Sequence, residues 1–271
     1  MKWAVARWLL MCCLSGGALA EQPIVFEYRD PARPTSALKL EGYLYEPQRP
    51  NGKTVLMSHG STGGKREAIA ESIKYLGIGR MLSREGYRVV TYMRKGRGKS
   101  EGVFVEESGR CDTRSLEAEV ADAYPQMQQV VEQVRQRYSA DKLILMGHSR
   151  GGFLSTYFAA RNPDQVLASV NLAGVWSAFC EARNGGFSRA VLDDAAGRFK
   201  NNFWAYFEND SYFAADRFND ARYEWLSATA AKHGIVFKTY PQNGMPDGHS
   251  TPTWKPETWR ADVVQWLAAL H

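Results

Sequence analysis

Two serines in this chain stand in the frame G-x-S-x-G: Ser149 in Gly147-His148-Ser149-Arg150-Gly151 and Ser100 in Gly98-Lys99-Ser100-Glu101-Gly102. A hydroxyl in that frame can attack a carbonyl carbon if it sits on a tight strand-to-helix turn. The glycines let neighbouring backbones approach there, and the helix N-terminus faces the developing negative charge. Context separates the two serines. Ser149 follows the apolar run Lys142–Met146 and leads into Gly152-Phe153-Leu154-Ser155-Thr156-Tyr157-Phe158-Ala159-Ala160, a helix-forming stretch. Ser100 runs into Gly102-Val103-Phe104-Val105-Glu106-Glu107, which starts no helix, and reads as a turn serine. Ser149 is therefore the candidate nucleophile, with helix capping as the competing role.

A serine hydroxyl needs a base. Of the five histidines, His148 lies inside the elbow itself, His59 follows a strand at a Gly-rich loop, His233 ends a helix and His271 is the last residue. His249 stands in the turn-rich loop Gly244-Met245-Pro246-Asp247-Gly248-His249-Ser250, just past the last expected strand, and is the candidate base. The base needs an acid to fix its tautomer and stabilise the imidazolium. Asp210, in Glu208-Asn209-Asp210-Ser211 after another strand, is the candidate, with Glu208 and Asp247 as rivals. Asp193 and Asp194 fall in an expected helix and read as solvated. The order Ser149, Asp210, His249 is one of the known triad orders. An oxyanion needs preorganised N–H donors. The backbone of Arg150 is one candidate. The loop Ser58-His59-Gly60-Ser61-Thr62-Gly63-Gly64 supplies the other, with Ser61 preferred and Gly60 next. That loop lacks the G-x-x-x-x-G-K-[ST] spacing of a phosphate cradle.

The elements that must position these residues alternate. Pro23–Tyr28 and Leu38–Tyr45 read as antiparallel strands. Lys53–Ser58, Tyr87–Tyr92, Lys142–Met146, Leu167–Leu172, Asn202–Phe207 and Ile235–Tyr240 read as further strands. Helices are expected over Arg66–Leu76 and the stretch on to Glu85, and over Ser115–Tyr138, Gly151–Arg161, Tyr212–His233 and Pro256–Leu270. In Ser115–Tyr138 the residues Leu116, Val120, Tyr124, Met127, Val131, Val134 and Tyr138 form one apolar stripe, and Pro125 predicts a kink or a start nearer Asp122. Strand–helix alternation implies an α/β fold with a mostly parallel sheet of about eight strands, helices on both faces and functional residues beyond the strands' carboxyl ends.

The chain has 271 residues, 44% hydrophobic and 23% charged, so it can bury one large core and is not disordered. No stretch reaches the ~20 apolar residues of a membrane span. Residues 1–20 read as a signal peptide: Lys2 and Arg7, then apolar Trp8–Leu14, then Ser-Gly-Gly-Ala-Leu-Ala with cleavage expected after Ala20. A periplasmic or secreted protein follows, with no stable membrane insertion and a single domain over 21–271. Losing Lys2 and Arg7 lowers the formal charge from +5 to +3, too small to argue for nucleic acid. The leader also removes two of four cysteines. Cys111 and Cys180 are then expected to form a disulfide in an oxidising compartment.

Taken together, the residues resemble the α/β-hydrolase superfamily over 53–271. The resemblance rests on His59-Gly60, on the G-H-S-R-G elbow, on Glu208-Asn209-Asp210, on Gly248-His249 and on Gly96-Arg97-Gly98-Lys99-Ser100. This last is similar to the R-G-x-G-x-S turn of the family, with Lys95 in place of its leading Arg. Size and the lack of a long cap most resemble the dienelactone-hydrolase-like branch, which grades into prolyl-oligopeptidase-type catalytic domains. Dienelactone hydrolases use a cysteine nucleophile, so their lactone chemistry does not carry over to Ser149. The resemblance implies hydrolysis of an ester, thioester or amide through an acyl-enzyme, without cofactor or metal. Val175–Lys200 is the place for a short cap. Its aromatics Trp176 and Phe179, with His59, are candidate pocket walls, core packing being the other reading. The expected function is a carboxylesterase acting on a small-molecule ester. A peptidase or amidase on the same triad is the rival within the class, and a catalytically silent binding protein on the same fold the rival outside it.

Overall fold

The computed structural model describes residues 21–61, 64–106, 113–176, 186–213 and 222–270. Short strands with both faces apolar can only be satisfied by a sheet covered on each side. Eight of them form one sheet. They are β1 Gln22–Arg29, β2 Ala37–Tyr45, β3 Thr54–Ser58, β4 Arg88–Tyr92, β5 Leu143–His148, β6 Val166–Leu172, β7 Asn202–Phe207 and β8 Val236–Tyr240. The strand order is β1-β2-β4-β3-β5-β6-β7-β8. β1 pairs antiparallel with β2, and β2 with β4; every other pairing is parallel.

The helices are α1 Arg66–Ala70, α2 Leu76–Arg84, α3 Thr113–Tyr138, α4 Arg150–Arg161, α5 Gly186–Arg198, α6 Arg222–His233, α7 Thr251–Trp254 and α8 Glu257–Ala268. The pleat divides the core in two. Leu56, Leu143 and Leu145 face the cluster built by α3, α4, α5 and α6, with Phe153, Phe158, Leu192 and Leu226. Val55, Met57, Ile144 and Met146 face the opposite cluster with Ile78 and Leu82 of α2 and Trp259, Val263 and Leu267 of α8. A one-residue register slip would exchange these faces, so the register is strongly fixed.

Three expectations are revised. The start expected nearer Asp122 is not found: α3 runs from Thr113 through Pro125 as one helix, with Leu116, Val120 and Met127 all buried on one stripe. The first stretch expected to be helical, Arg66–Leu76, is helical only over Arg66–Ala70, and the stretch on to Glu85 is a second helix. Residues 71–75 between them leave helical geometry, and Tyr75 takes a left-handed backbone at φ 54°. Part of the segment expected as a cap is α5, whose Phe187, Leu192, Ala195 and Ala196 are buried against α4, so it belongs to the helical layer. Residues 177–185, with Phe179 and Cys180, lie outside the described residues, as do Cys111 and residues 1–20, expected as a signal peptide.

Strand order reverses at β3: β4 lies on one side of it and β5 on the other. The crevice at such a switch point opens beyond the carboxyl ends of the strands, here between the loops after β3 and β5. The Gly60–Ser61 loop and Ser149 are those two loops.

Candidate active site

Ser149 caps α4 with φ 54° and ψ −125°, a conformation that non-glycine residues rarely hold. The surroundings enforce it. A Cβ at Gly147 would collide with the Gly151 carbonyl, and one at Gly151 with the Ser58 carbonyl. The Ser149 N–H donates to Leu172 O at 3.0 Å, and its carbonyl accepts from Phe153 N at 3.1 Å. Ser149 is 4% exposed, at the N-terminus of a twelve-residue helix.

Asp210 and His249 come together from the ends of β7 and β8. His249 Nδ1 lies 3.0 and 2.9 Å from the two oxygens of Asp210. A carboxylate there means that Nδ1 carries the proton and Nε2 offers its lone pair, the tautomer a general base needs. Asp210 also accepts from Tyr212 N at 2.9 Å and is 2% exposed. Glu208, its rival, is exposed. The other rival, Asp247, does a different job. Its Oδ1 accepts from His249 N (2.9 Å) and Ser211 N (3.0 Å), and its Oδ2 accepts from Ser211 Oγ (2.6 Å), so it ties the acid loop to the base loop. Burial pushes the Asp247 carboxyl up, but the bonds from Ser211 and His249 outweigh it and hold it below the usual range. Gly248 lets the loops touch: its N–H donates to Asn209 O at 3.1 Å, and a Cβ there would strike Glu208 O.

His148 joins His249 to the elbow. Its Nε2 donates to His249 O at 2.7 Å. Among the described residues no hydrogen bond joins Ser149 Oγ to His249. Catalytic bonds of this kind are often long in an unliganded site and tighten around substrate. The ring of Tyr212 lies against His249, 4.3 Å between centroids at 40°.

The loop after β3 is anchored from beneath. Arg94 donates from Nη1 to His59 O at 2.8 Å and from its backbone N to His59 Nε2 at 3.0 Å, and its guanidinium is paired with Glu106. Arg150 Nη1 lies 3.0 Å from Glu119 and 3.7 Å from Glu106. Glu106 thus touches the supports of both loops that frame the crevice. Burial raises its carboxyl, yet the Arg94 charge and hydrogen bonds hold it far below the usual range.

Two expected wall residues turn out to be interior. His59 is wholly buried and satisfied: Nδ1 donates to Gly60 O at 2.7 Å, Nε2 accepts from Arg94, and burial pushes its pKa well below the ordinary value. Trp176 is also wholly buried. It packs on Phe153, and its Nε1 donates to Glu119 at 3.1 Å. Gly60, the second choice for an oxyanion donor, gives its N–H to Tyr75 Oη at 3.1 Å, which leaves the next amide, that of Ser61, as the loop's candidate donor. Ser100 is a buried turn residue, donating to Met93 O and accepting from Glu41 N. Among the described residues no cluster of three His, Cys, Asp or Glu is placed to hold a metal ion, and no helix is long and apolar enough to cross a membrane.

The sheet order and the strained serine at its switch point define an α/β-hydrolase. The chain belongs to the hydrolase family described as serine aminopeptidase, S33, whose model matches residues 51–186, half of the sequence. No curated protein matches the sequence. Among solved structures, the Pyrococcus furiosus esterase Pf2001 is similar with a TM-score of 0.62 at 15% identity, over 99% of this chain and 96% of that one. Est1E from Butyrivibrio proteoclasticus, with bound ferulic acid, is similar with a TM-score of 0.59 at 17% identity, over 85% and 96%.

Proposed function

We propose that this protein is a serine carboxylesterase with Ser149 as nucleophile, His249 as base and Asp210 as the acid that orients it. The observation that carries the reading is the buried His249–Asp210 pair at 2.9 Å, anchored through His148 to the elbow that presents Ser149. Ser149 Oγ attacks the ester carbonyl while His249 Nε2 takes its proton. The amides of Arg150 and Ser61 hold the oxyanion. The imidazolium, stabilised by Asp210, protonates the departing alkoxide. Water then enters, gives a proton to His249 and cleaves the acyl-enzyme by the same route in reverse.

Ester rather than amide is favoured by the two similar structures, one described as an esterase and the other shown with ferulic acid. The family description names an aminopeptidase, so the test sets the two against each other. Purified protein is assayed on p-nitrophenyl acyl and aryl esters and on aminoacyl p-nitroanilides. Esters are expected to give the larger kcat/KM. Faster turnover of the anilides would replace the esterase reading with a peptidase. Residues 1–20, read from their composition as a signal peptide, favour a periplasmic or secreted location, where Cys111 and Cys180 would be oxidised.

A further inference from the structure

His249 is 7% exposed, so a positive charge formed on it arises where little water reaches. A buried cation is costly unless its surroundings replace the lost hydration. Asp210 does this in the plane of the ring, at Nδ1. A second group lies against the ring itself. The centroid of Tyr212 is 4.3 Å from that of His249, with 40° between the planes. An edge-on pair would stand near-perpendicular, so at this tilt the two rings meet largely through their faces.

The loops of the site hold Tyr212 in this place. It belongs to the 3₁₀ turn Ser211–Phe213, directly after Asp210. Its N–H donates at 2.9 Å to Asp210 Oδ1, the same oxygen that lies 3.0 Å from His249 Nδ1. One residue earlier, Ser211 is tied by its N–H and its hydroxyl to Asp247, which also accepts the N–H of His249. The bonds that align Asp210 with His249 therefore align the phenol ring with the imidazole.

The negative face of an aromatic ring attracts a cation within about 6 Å of its centroid. A neutral imidazole gains little from that field, and an imidazolium gains more. Among the described residues, the titratable groups in contact with His249 are Asp210 and Tyr212 of the loop after β7, His148 of the elbow and Asp247 of its own loop. Burial holds His148 at about 3, and the bonds from Ser211 and His249 hold Asp247 below the usual carboxylate range, so neither changes charge near neutral pH.

We propose that the ring of Tyr212 is a cation–π partner of His249, stabilising the imidazolium that forms as Ser149 gives up its proton. This deepens, and rests on, the reading of His249 as base. Tyr212 acts through that base, as a positioning residue.

The test compares two rings of nearly one shape in place of Tyr212. Tyr212→Phe keeps the negative aromatic face and is the reference. Pentafluorophenylalanine reverses the charge on that face and keeps the cover over His249. The pH profile of kcat/KM on p-nitrophenyl acetate is the readout. With the fluorinated ring the acid limb is expected about half a pH unit lower than in the phenylalanine variant, and the plateau about threefold lower, because the protonated base is the state that loses its partner. A ring that only covers the imidazole predicts something else: both rings exclude water alike, and the two limbs coincide. Coincident limbs, or a fluorinated limb at higher pH, would overturn the proposal. His249→Ala separates the two levels of the argument. If it abolishes turnover, the base stands and the fluorinated ring tests Tyr212 alone. If it keeps wild-type kcat, the reading of His249 as base falls and this proposal with it.

Discussion

The imidazole of His148 donates to the main-chain carbonyl of His249 at 2.7 Å, and the two rings lie 4.8 Å apart. The residue next to Ser149 therefore holds His249 in place by its backbone, while Asp210 holds it by its ring. Burial, and then the nearby His249, lower the pKa of His148 to about 3, so it stays neutral near neutral pH, where the proposed base His249 would act.

That depressed pKa has a stability consequence. The unfolded chain binds the His148 proton at about pH 6.5 and the folded chain only near 3, so the folded state loses ground as pH falls through that window. At ~1.4 kcal/mol per pKa unit the loss should reach a few kcal/mol by pH 4. Urea unfolding at pH 7 and pH 4 measures it. His148→Leu should flatten this slope and also lower kcat, because the His249 carbonyl loses its partner. An unchanged slope would show that other groups set the acid limit.

Asp210→Asn keeps the shape but removes the charge that fixes the tautomer of His249, and should lower kcat by about 10⁴-fold with the fold intact. Glu208→Gln, in the same turn but exposed, should change kcat little. Steady-state kinetics on one activated ester decides between the two carboxylates.

Asp247 accepts three hydrogen bonds that join the acid and base loops. Asp247→Ala should cost about 2 kcal/mol of stability at pH 7 and lower kcat more than it raises KM. Its carboxyl titrates below the ordinary 3.8, so its stabilisation is complete above that value and fades as pH falls through the lower folded value. The difference in stability between wild type and variant, measured from pH 7 down to 3, should shrink at the acid end.

The sheet, the elbow and the positions of Ser149, Asp210 and His249 were legible because each depends on neighbours in sequence: an apolar strand, then a tight glycine turn, then a helix or loop. What the residues do to one another was not. His148 reads only as a member of the elbow, yet it bonds to a residue 101 positions later. Asp247 reads as a rival acid because its nearness to His249 along the chain says nothing of Ser211. Trp176 reads as a wall because aromatic content alone does not tell a pocket from a core. Tyr75 lay inside an expected helix, and only its backbone angle and the Gly60 amide mark it out.

The expected bridge between Cys111 and Cys180 is tested by thiol titration of the mature protein, unfolded without reductant. No free thiol is expected, and reduction should lower stability by about 2–4 kcal/mol. Two free thiols would reject the bridge.

The central claim is that the Ser149 hydroxyl is the attacking group. Hydrolysis of p-nitrophenyl acetate by wild type and by Ser149→Ala, both shown to be folded, tests it most directly. A loss of several orders of magnitude in kcat is predicted, because the members of such a site act as a unit. Equal rates in the two proteins would contradict it.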